Sequence, residues 1–203
     1  MNDYHRLLSR RRIMMTGVVA ASSLALTGDD AFAQHGLAPT SACHDGDEPT
    51  IPETEGPFFK PRSPQRGDLR EAGITGRSVE LSGQVLTRSC QPVAGALVDL
   101  WHANDRGEYD NNGFRLRGHL FTDTEGRYSF RTIMPGLYTG RTRHYHVKVQ
   151  APGQAVLTTQ FYFPNEKQNR ADPLFRRQLL MRVTPTEAEG ALLAWFDVVL
   201  DLR

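Results

Sequence analysis

The fold of this chain is indicated most directly by the stretch Arg141-Thr142-Arg143-His144-Tyr145-His146-Val147-Lys148-Val149. From His144 onward the side chains alternate in character, which is the period of a β-strand. The pattern predicts a strand over 144–150 that ends at the turn Ala151-Pro152-Gly153. Successive side chains of a strand point to opposite faces, so His144 and His146 share one face and Tyr145 points to the other.

Further strands are predicted on both sides of this stretch. They cover residues 79–86, 96–101, 126–133, 156–163 and 194–202, and a short helix is predicted over 175–180. Short strands at roughly even spacing, separated by turns rich in Gly and Pro, are typical of an antiparallel sandwich or barrel. We therefore predict an all-β fold, an antiparallel β-sandwich with long ordered loops.

The N-terminus has the features of an export signal rather than of a fold. Ser9-Arg10-Arg11-Arg12-Ile13-Met14 is a twin-arginine pattern, and an apolar run over 18–26 precedes the small-residue cleavage motif Ala31-Phe32-Ala33. We expect residues 1–33 to be a signal peptide, 34–78 an N-terminal arm and loop, and 79–203 a β-sandwich domain. The protein would then be periplasmic or extracellular. The alternative is an uncleaved basic N-terminal anchor.

The net charge and the length of the chain limit the classes of function that it can have. The net charge is +1, and residues 1–33 contain four arginines and three acidic residues, so the remainder is close to neutral. This balance gives no signal for nucleic-acid or membrane binding, and we expect no stable membrane anchor after processing. About 170 residues suit one domain with its own core.

Cys43 and Cys90 are the two cysteines of the chain. A pair of this kind in an oxidising compartment usually forms a disulfide, which here would tie the N-terminal arm to the sheet. Two buried free thiols are the competing interpretation. The expected export favours the disulfide.

Four side chains on or beside the predicted strands are candidate metal ligands: Tyr109, Tyr138, His144 and His146. Phenolate oxygens combined with two imidazoles favour a hard, highly charged ion, and Fe(III) fits them better than Zn(II) or Cu(I). The competing interpretation of the two histidines is a polar strand face turned to solvent. We expect the other aromatic and imidazole groups to be non-ligands, with the remaining tyrosines half-buried and their hydroxyls solvated: His102, His119, Tyr128, Tyr145 and Tyr162.

Taken together, the motifs resemble those of the intradiol ring-cleavage dioxygenases, the protocatechuate and catechol dioxygenase family. The matching blocks, which follow in the family's order and cover most of the chain after residue 33, are 54–59, 81–85, 92–101, 107–109, 126–133, 135–138, 141–146 and 160–164. No long N-terminal helical region precedes them, so the chain looks closer to the protocatechuate 3,4-dioxygenase type or to exported relatives.

The resemblance implies a set of roles. It implies that Tyr109, Tyr138, His144 and His146 bind a non-haem Fe(III). Arg141 would lie beside the ring of the substrate, with Gln160 lining the same pocket. Gly56 and Pro57 would form a loop that closes over the substrate. The implied reaction inserts both atoms of O2 into a catechol-type substrate and opens the ring between the two hydroxylated carbons, giving a muconate-type product. A homo- or hetero-oligomer would be compatible with the resemblance.

Some positions depart from the pattern of the family. Arg141-Thr142-Arg143 replaces the usual Arg-Pro-Ala, which leaves open which arginine serves the pocket. Phe58 stands where tyrosine usually follows Gly-Pro, Cys90 occupies a turn position where glycine is usual, and the loop 165–172 differs from the usual Pro-Gly-Asp-Pro turn.

Two other functions fit parts of the pattern. The strand blocks also occur in transthyretin-like β-sandwiches without an active site, so a non-catalytic binding module is the main alternative. The second alternative is a copper or zinc hydrolase on the same scaffold, although tyrosine ligands suit copper and zinc less well than Fe(III).

Overall fold

The computed structural model describes residues 43–44, 48–186 and 190–203, so the predicted signal peptide lies outside the described residues. Among these residues the fold is all-β, as predicted. The strands are β1 (Ser78–Leu86), β2 (Leu97–Trp101), β3 (Arg117–Phe121), β4 (Arg127–Ile133), β5 (His144–Gln150), β6 (Leu157–Tyr162), β7 (Arg182–Pro185), β8 (Leu192–Trp195) and β9 (Val198–Val199). The described residues also contain two 3-10 turns, at Lys167–Arg170 and Arg177–Leu179.

The strands form two sheets. The first has the order β4-β1-β8-β7, with β9 also paired to β1, and the second has the order β3-β2-β5-β6. The second sheet is antiparallel throughout, as predicted. The first is mixed, because β8 and β9 both run parallel to β1.

Several predicted elements differ in detail. The strand predicted over 194–202 is divided into β8 and β9, because the Phe196 backbone crosses over Gly83 of β1. A Cβ on Gly83 would lie 1.7 Å from the Phe196 carbonyl oxygen. The helix predicted over 175–180 is only the 3-10 turn Arg177–Leu179. Strands β3 and β7 were not predicted, since β3 contains Gly and His and the short edge strand β7 is largely exposed.

The core lies between the sheets and is built from the inward faces of their strands. In β5 the inward side chains are Tyr145, Val147 and Val149, all fully buried. Each buried valine or larger apolar side chain contributes about 1.5–3 kcal/mol through removal from water. Tyr145 points away from the two histidines, as predicted, and its hydroxyl donates to the Ile133 carbonyl at 3.0 Å.

The loop 51–70 crosses the second sheet and ends beside β4 of the first, where the Leu69 amide donates to the Arg131 carbonyl at 2.8 Å. The Glu53 amide donates to the Thr158 carbonyl at 2.9 Å. Further along, the Arg66 amide donates to the His119 carbonyl at 3.0 Å, and the Ser63 hydroxyl donates to Asp99 at 2.8 Å. These bonds hold the loop over the face that carries His144 and His146.

The predicted disulfide between Cys43 and Cys90 is present, with the two Cα atoms 5.7 Å apart. Cys90 has φ of +57°, a left-handed conformation that favours glycine, which explains why the family usually has glycine there. No helix within the described residues has the length and apolar character that crossing a bilayer requires.

Candidate functional site

The pairing of β2, β5 and β6 brings the histidines and their neighbours together on the outer face of the second sheet. His144 lies opposite Tyr162 in β6, while His146 lies between Trp101 in β2 and Gln160 in β6. Both imidazoles are buried, and their Nε2 atoms are 3.2 Å apart. Directly opposed residues of paired strands share a face, so these side chains form one cluster.

The protonation state of the two rings suits a metal ion. Nδ1 of His144 donates to the Thr142 carbonyl at 2.6 Å, which leaves Nε2 of the neutral ring as an acceptor. Burial, together with the nearby charge of Arg141, lowers the pKa of His144 to about 4. Burial also lowers the pKa of His146 well below its usual value. Nδ1 of His146 is buried beside the Thr54 backbone without a well-formed hydrogen bond.

With Nε2 of His144 as an acceptor, Nε2 of the neutral His146 ring can donate to it at 3.2 Å or, in the other tautomer, present a second lone pair. Burial opposes protonation of either ring, whereas a metal ion would take a lone pair from both. Metal–nitrogen bonds of about 2.1 Å place neighbouring ligand atoms about 3 Å apart, close to the observed separation. The His144 and His146 pair therefore fits a metal ion.

The predicted tyrosine ligands lie on two loops, Tyr109 in contact with His144 and Tyr138 in contact with Tyr109. The Tyr109 hydroxyl lies 3.5 Å from Nε2 of His144. Burial raises the pKa of Tyr109, an effect opposed by the charges of Arg141 and Arg117, so the side chain is a neutral phenol unless a cation binds directly to it. The ring of Tyr138 meets that of Tyr109 edge-on at 5.9 Å and is 36% exposed, which makes Tyr138 the most open member of the set.

Within the described residues, no group of three or more His, Cys, Asp or Glu side chains could hold a metal ion. The oxygen of Tyr109, 3.5 Å from Nε2 of His144, is the further protein donor nearest to the two histidines. That donor set fits a ferric ion, because a phenol bound directly to a trivalent cation loses its proton.

Aromatic side chains pack against the rings of the predicted metal ligands. Trp101 stacks on His146 with ring centroids 5.0 Å apart and an interplanar angle of 7°. Phe58 stacks on Tyr109 at 4.3 Å and meets Tyr138 edge-on at 5.5 Å. Phe58, which replaces the tyrosine usual in the family, thus packs against both tyrosines.

Arg117 is a buried residue of this site that the sequence analysis did not single out. Its guanidinium donates to the Phe58 carbonyl at 2.6 Å and to the Asp110 carbonyl at 2.9 Å. It therefore joins the loop of Phe58 to the loop of Tyr109. Its place beside Trp101 depends on strand β3, which was not predicted, so no local signal pointed to it.

Gly56 and Pro57 lie on the loop over the histidines. Gly56 has φ of +67°, and a Cβ there would lie 3.3 Å from Cε1 of His146. Glycine therefore allows the backbone of the loop to rest against the imidazole. The neighbouring Phe59 packs against Trp101, with ring centroids 5.0 Å apart.

The structure places Arg141, and not Arg143, beside the cluster. Nη2 of Arg141 donates to Oε1 of Gln160 at 2.6 Å, while Nε2 of Gln160 donates to the Thr54 carbonyl at 2.8 Å. Arg143 instead pairs with Glu166 at 3.3 Å and donates to the Pro135 carbonyl.

The prediction for three tyrosine hydroxyls was wrong. Tyr128 and Tyr145 are packing residues, but they are buried and donate to backbone carbonyls at 2.7 and 3.0 Å. Tyr162 belongs to the site, because its hydroxyl lies 3.0 Å from Oε1 of Gln160 and 2.8 Å from the Leu174 carbonyl. The signal for Tyr162 was available, since it lies two residues after Gln160 and so shares its face of β6.

His102 and His119, the two histidines expected to be non-ligands, lie outside the cluster. His102 is buried in the interior, with Nδ1 donating to the Ala103 carbonyl at 2.7 Å and Nε2 2.6 Å from the Thr132 hydroxyl. His119 is partly exposed, with Nδ1 3.1 Å from the Ser63 hydroxyl.

Two cavities are found on the described surface, and one of them borders the candidate site at Tyr109. One of about 290 Å³ is bordered by the Tyr109 loop and by residues 73–75 and 104–106. The other, of about 450 Å³, lies between residues 49–52, 154–157 and 199–202. Neither cavity is lined by His144 or His146, and the predicted metal-binding groups cluster at these two histidines.

Comparisons with known proteins give a consistent result. The family model for dioxygenases, Dioxygenase_C, matches residues 54–202. Catechol 1,2-dioxygenase 2 of Acinetobacter lwoffii is 34% identical over 142 residues, which are 57% of this chain and 52% of that protein. The protocatechuate 3,4-dioxygenase beta chain of Burkholderia cepacia is 33% identical over 62% of this chain and 65% of its own. The chain thus spans about half to two thirds of the length of such relatives.

Solved structures agree with this result. The dioxygenase domain of a dioxygenase carbohydrate-binding protein fusion from Streptomyces sp. SirexAA-E is 49% identical, with a TM-score of 0.74 over 77% of this chain and all of that domain. The 3-chlorocatechol 1,2-dioxygenase of Rhodococcus opacus 1CP is 26% identical, with a TM-score of 0.71 over 75% of this chain and 73% of its own.

Proposed function

The chain belongs to the intradiol ring-cleavage dioxygenase family, and from this premise we propose that it cleaves a catechol-type substrate between its two hydroxylated carbons. The proposal is carried by the convergence of His144, His146 and Tyr109 beside Arg141 and Gln160. A non-catalytic sandwich would have no use for two buried imidazoles whose Nε2 atoms lie 3.2 Å apart beside the Tyr109 phenol.

We propose that Tyr109, Tyr138, His144 and His146 hold a ferric ion. When bound, the ion would act as a Lewis acid toward the two catechol oxygens and increase the reactivity of the ring toward O2. Tyr138, the most exposed of the four, is the side chain best placed to accept a proton from an incoming catechol hydroxyl. The loop at Gly56 excludes water from His146.

Arg141 supplies the fixed positive charge of the site. Its guanidinium is largely buried and bonded to Gln160, so it is oriented before the substrate arrives. Negative charge that develops on the ring and on the attacking oxygen is stabilised by such a preorganised group, often the largest contribution to catalysis. One ring carbon–carbon bond breaks, and both oxygen atoms of O2 end in the two carboxylates of a muconate-type product, so no external reductant is needed.

The substrate class is tested by O2 uptake. We expect purified iron-loaded protein to be red-brown, because tyrosinate bound to Fe(III) absorbs visible light. It should consume one O2 per substrate with at least one of catechol, protocatechuate, hydroxyquinol or a larger aryl catechol, and ¹⁸O2 should place both labelled atoms in the product. A colourless, iron-free protein that consumes no O2 would contradict the proposal. The expected closeness to the protocatechuate type stays a prediction until this panel is measured.

We further propose export through the twin-arginine route to the periplasm or the extracellular space. The arginines at 10–12 and the Cys43–Cys90 disulfide support it, since disulfides persist in oxidising compartments. Replacing Arg10 and Arg11 together with lysine should retain the protein inside the cell, as seen by cell fractionation. Unchanged export would contradict this route.

A further inference from the structure

We propose that Asp172 is a positioning residue for this reaction, whose carboxylate holds the Arg141 guanidinium in place beside Gln160. The inference rests on the proposed function. It assigns a role to a residue of the 165–172 loop, the segment that departs from the usual pattern of the family.

The contact between Asp172 and Arg141 is close and buried. Nε of Arg141 lies 2.9 and 3.0 Å from the two carboxylate oxygens of Asp172. The side chain of Asp172 is 1% exposed and that of Arg141 is 14% exposed. Charge-assisted hydrogen bonds of this kind are stronger than neutral ones, and exclusion of water weakens screening.

Asp172 is itself held by the backbone. Its carboxylate accepts the Thr142 amide at 2.9 Å and the Leu174 amide at 2.9 Å. Each oxygen therefore has a backbone donor in addition to Arg141. Because the backbone restrains this carboxylate, it can fix the orientation of the Arg141 guanidinium.

The other end of the guanidinium is fixed by the sheet. Nη2 of Arg141 donates to Gln160 at 2.6 Å and lies 3.4 Å from the Tyr162 hydroxyl. Held at Nε by Asp172 and at Nη2 by Gln160, the guanidinium cannot rotate. In the described part of the chain Nη1 has no protein partner, so it is the donor that remains for the substrate.

Asp172 also contacts Thr142, which accepts a hydrogen bond from the predicted metal ligand His144. The experiment must therefore separate an effect on Arg141 from an effect on iron binding. The Thr142 amide donates to Asp172, and the Thr142 carbonyl accepts from Nδ1 of His144. If Asp172 acted mainly through Thr142, its loss would reduce iron binding. If it acts through Arg141, iron content is kept and turnover falls.

A double-mutant cycle tests the inference. Iron-loaded wild type, Asp172→Asn, Arg141→Ala and the double variant are compared by iron content, kcat and KM for the best substrate of the panel. We expect Asp172→Asn to keep its iron and to lower kcat about 10- to 100-fold, the usual cost of a misplaced catalytic group, with a much smaller change in KM. In the Arg141→Ala background the same change should alter kcat less than about twofold, because the partner is already absent.

Two further variants complete the design. Asp172→Glu keeps the charge but moves it by one methylene, so it should fold even if Asp172→Asn does not. It should lower kcat to the same extent, and this loss should disappear when Arg141 is replaced by alanine. Asp197→Asn is the matched control in the other sheet, where the carboxylate accepts the Gln84 amide at 3.0 Å and pairs with Arg182 at 3.4 Å. Its kcat should equal that of wild type.

Three results would overturn the inference while wild type remains active. The first is a loss of kcat on replacing Asp172 that is equal with Arg141 present and with Arg141→Ala. The second is a loss of iron in the Asp172 variants, and the third is a loss of kcat in Asp197→Asn as large as that in Asp172→Asn. A wild-type protein that consumes no O2 with any catechol would instead contradict the proposed function, and the positioning role with it.

Discussion

Gly107 and Gly136 are in backbone contact, and each lies two residues before a tyrosine predicted to bind the metal. A Cβ on Gly136 would lie 2.3 Å from the Gly107 nitrogen, and a Cβ on Gly107 would lie 2.2 Å from the Leu137 carbonyl oxygen. The Gly136 amide also donates to the Asn104 carbonyl at 2.7 Å. The loops of Tyr109 and Tyr138 therefore pack backbone to backbone, and the position of one tyrosine depends on that of the other.

Gly136→Ala should disturb both tyrosines together. The methyl group must push the two loops apart, at a cost of about 1–3 kcal/mol in stability. We expect weaker iron binding and a shifted tyrosinate-to-iron absorption band. The control is Gly153→Ala, since Gly153 has φ of +70° but nothing within 4 Å of the added Cβ. It should lose about 1 kcal/mol of stability and keep the band. An unchanged band in Gly136→Ala would show that the contact does not set the tyrosine geometry.

The predicted histidine ligands can be separated from their neighbour in β5. His144→Ala or His146→Ala should lose iron, colour and O2 uptake together, because each removes one of the two imidazole nitrogens proposed to bind the metal. Tyr145→Phe should keep all three and lose about 1 kcal/mol of stability with its bond to the Ile133 carbonyl. Iron analysis and visible spectra provide the measurement. Iron retained at wild-type affinity in both histidine variants would refute the assignment.

The disulfide should stabilise the protein in a way that depends on the residue at position 90. Cys43 and Cys90 are 47 residues apart, so replacing both with serine should cost about 4 kcal/mol through the chain entropy of the unfolded state. Cys43→Ser combined with Cys90→Gly should lose about 1 kcal/mol less, because φ of +57° strains serine but not glycine. Urea unfolding of the two double variants measures the difference. Equal midpoints would contradict the strain argument.

Acid should destabilise the protein in part through His102. Burial lowers the pKa of His102 to about 4, while in the unfolded chain it is about 6.5. The unfolded state therefore binds the proton more tightly, and the stabilisation present above pH 6.5 is lost as the pH falls toward 4. Over this pH window the free energy of unfolding of wild type should fall by roughly 3 kcal/mol more than that of His102→Gln. Parallel stability–pH curves for the two proteins would show that His102 does not titrate on unfolding.

Local periodicity was sufficient for the strand that carries the two histidines. The alternation in 144–150 placed His144 and His146 on one face and Tyr145 on the other, as the structure shows. The paired cysteines likewise predicted a bond that is present. Such features follow from the chain alone, because side-chain direction in a strand repeats every two residues whatever the partner strand is.

Tertiary packing decided the rest. Arg117 and Asp172 reach the site from segments with no shared pattern, and their roles arise from contacts with Asp110 and Arg141 across the folded molecule. The parallel pairing of β8 with β1 and the contact of Gly107 with Gly136 have the same origin. These relationships depend on the free energy of packing distant segments together, which no local window of the sequence contains.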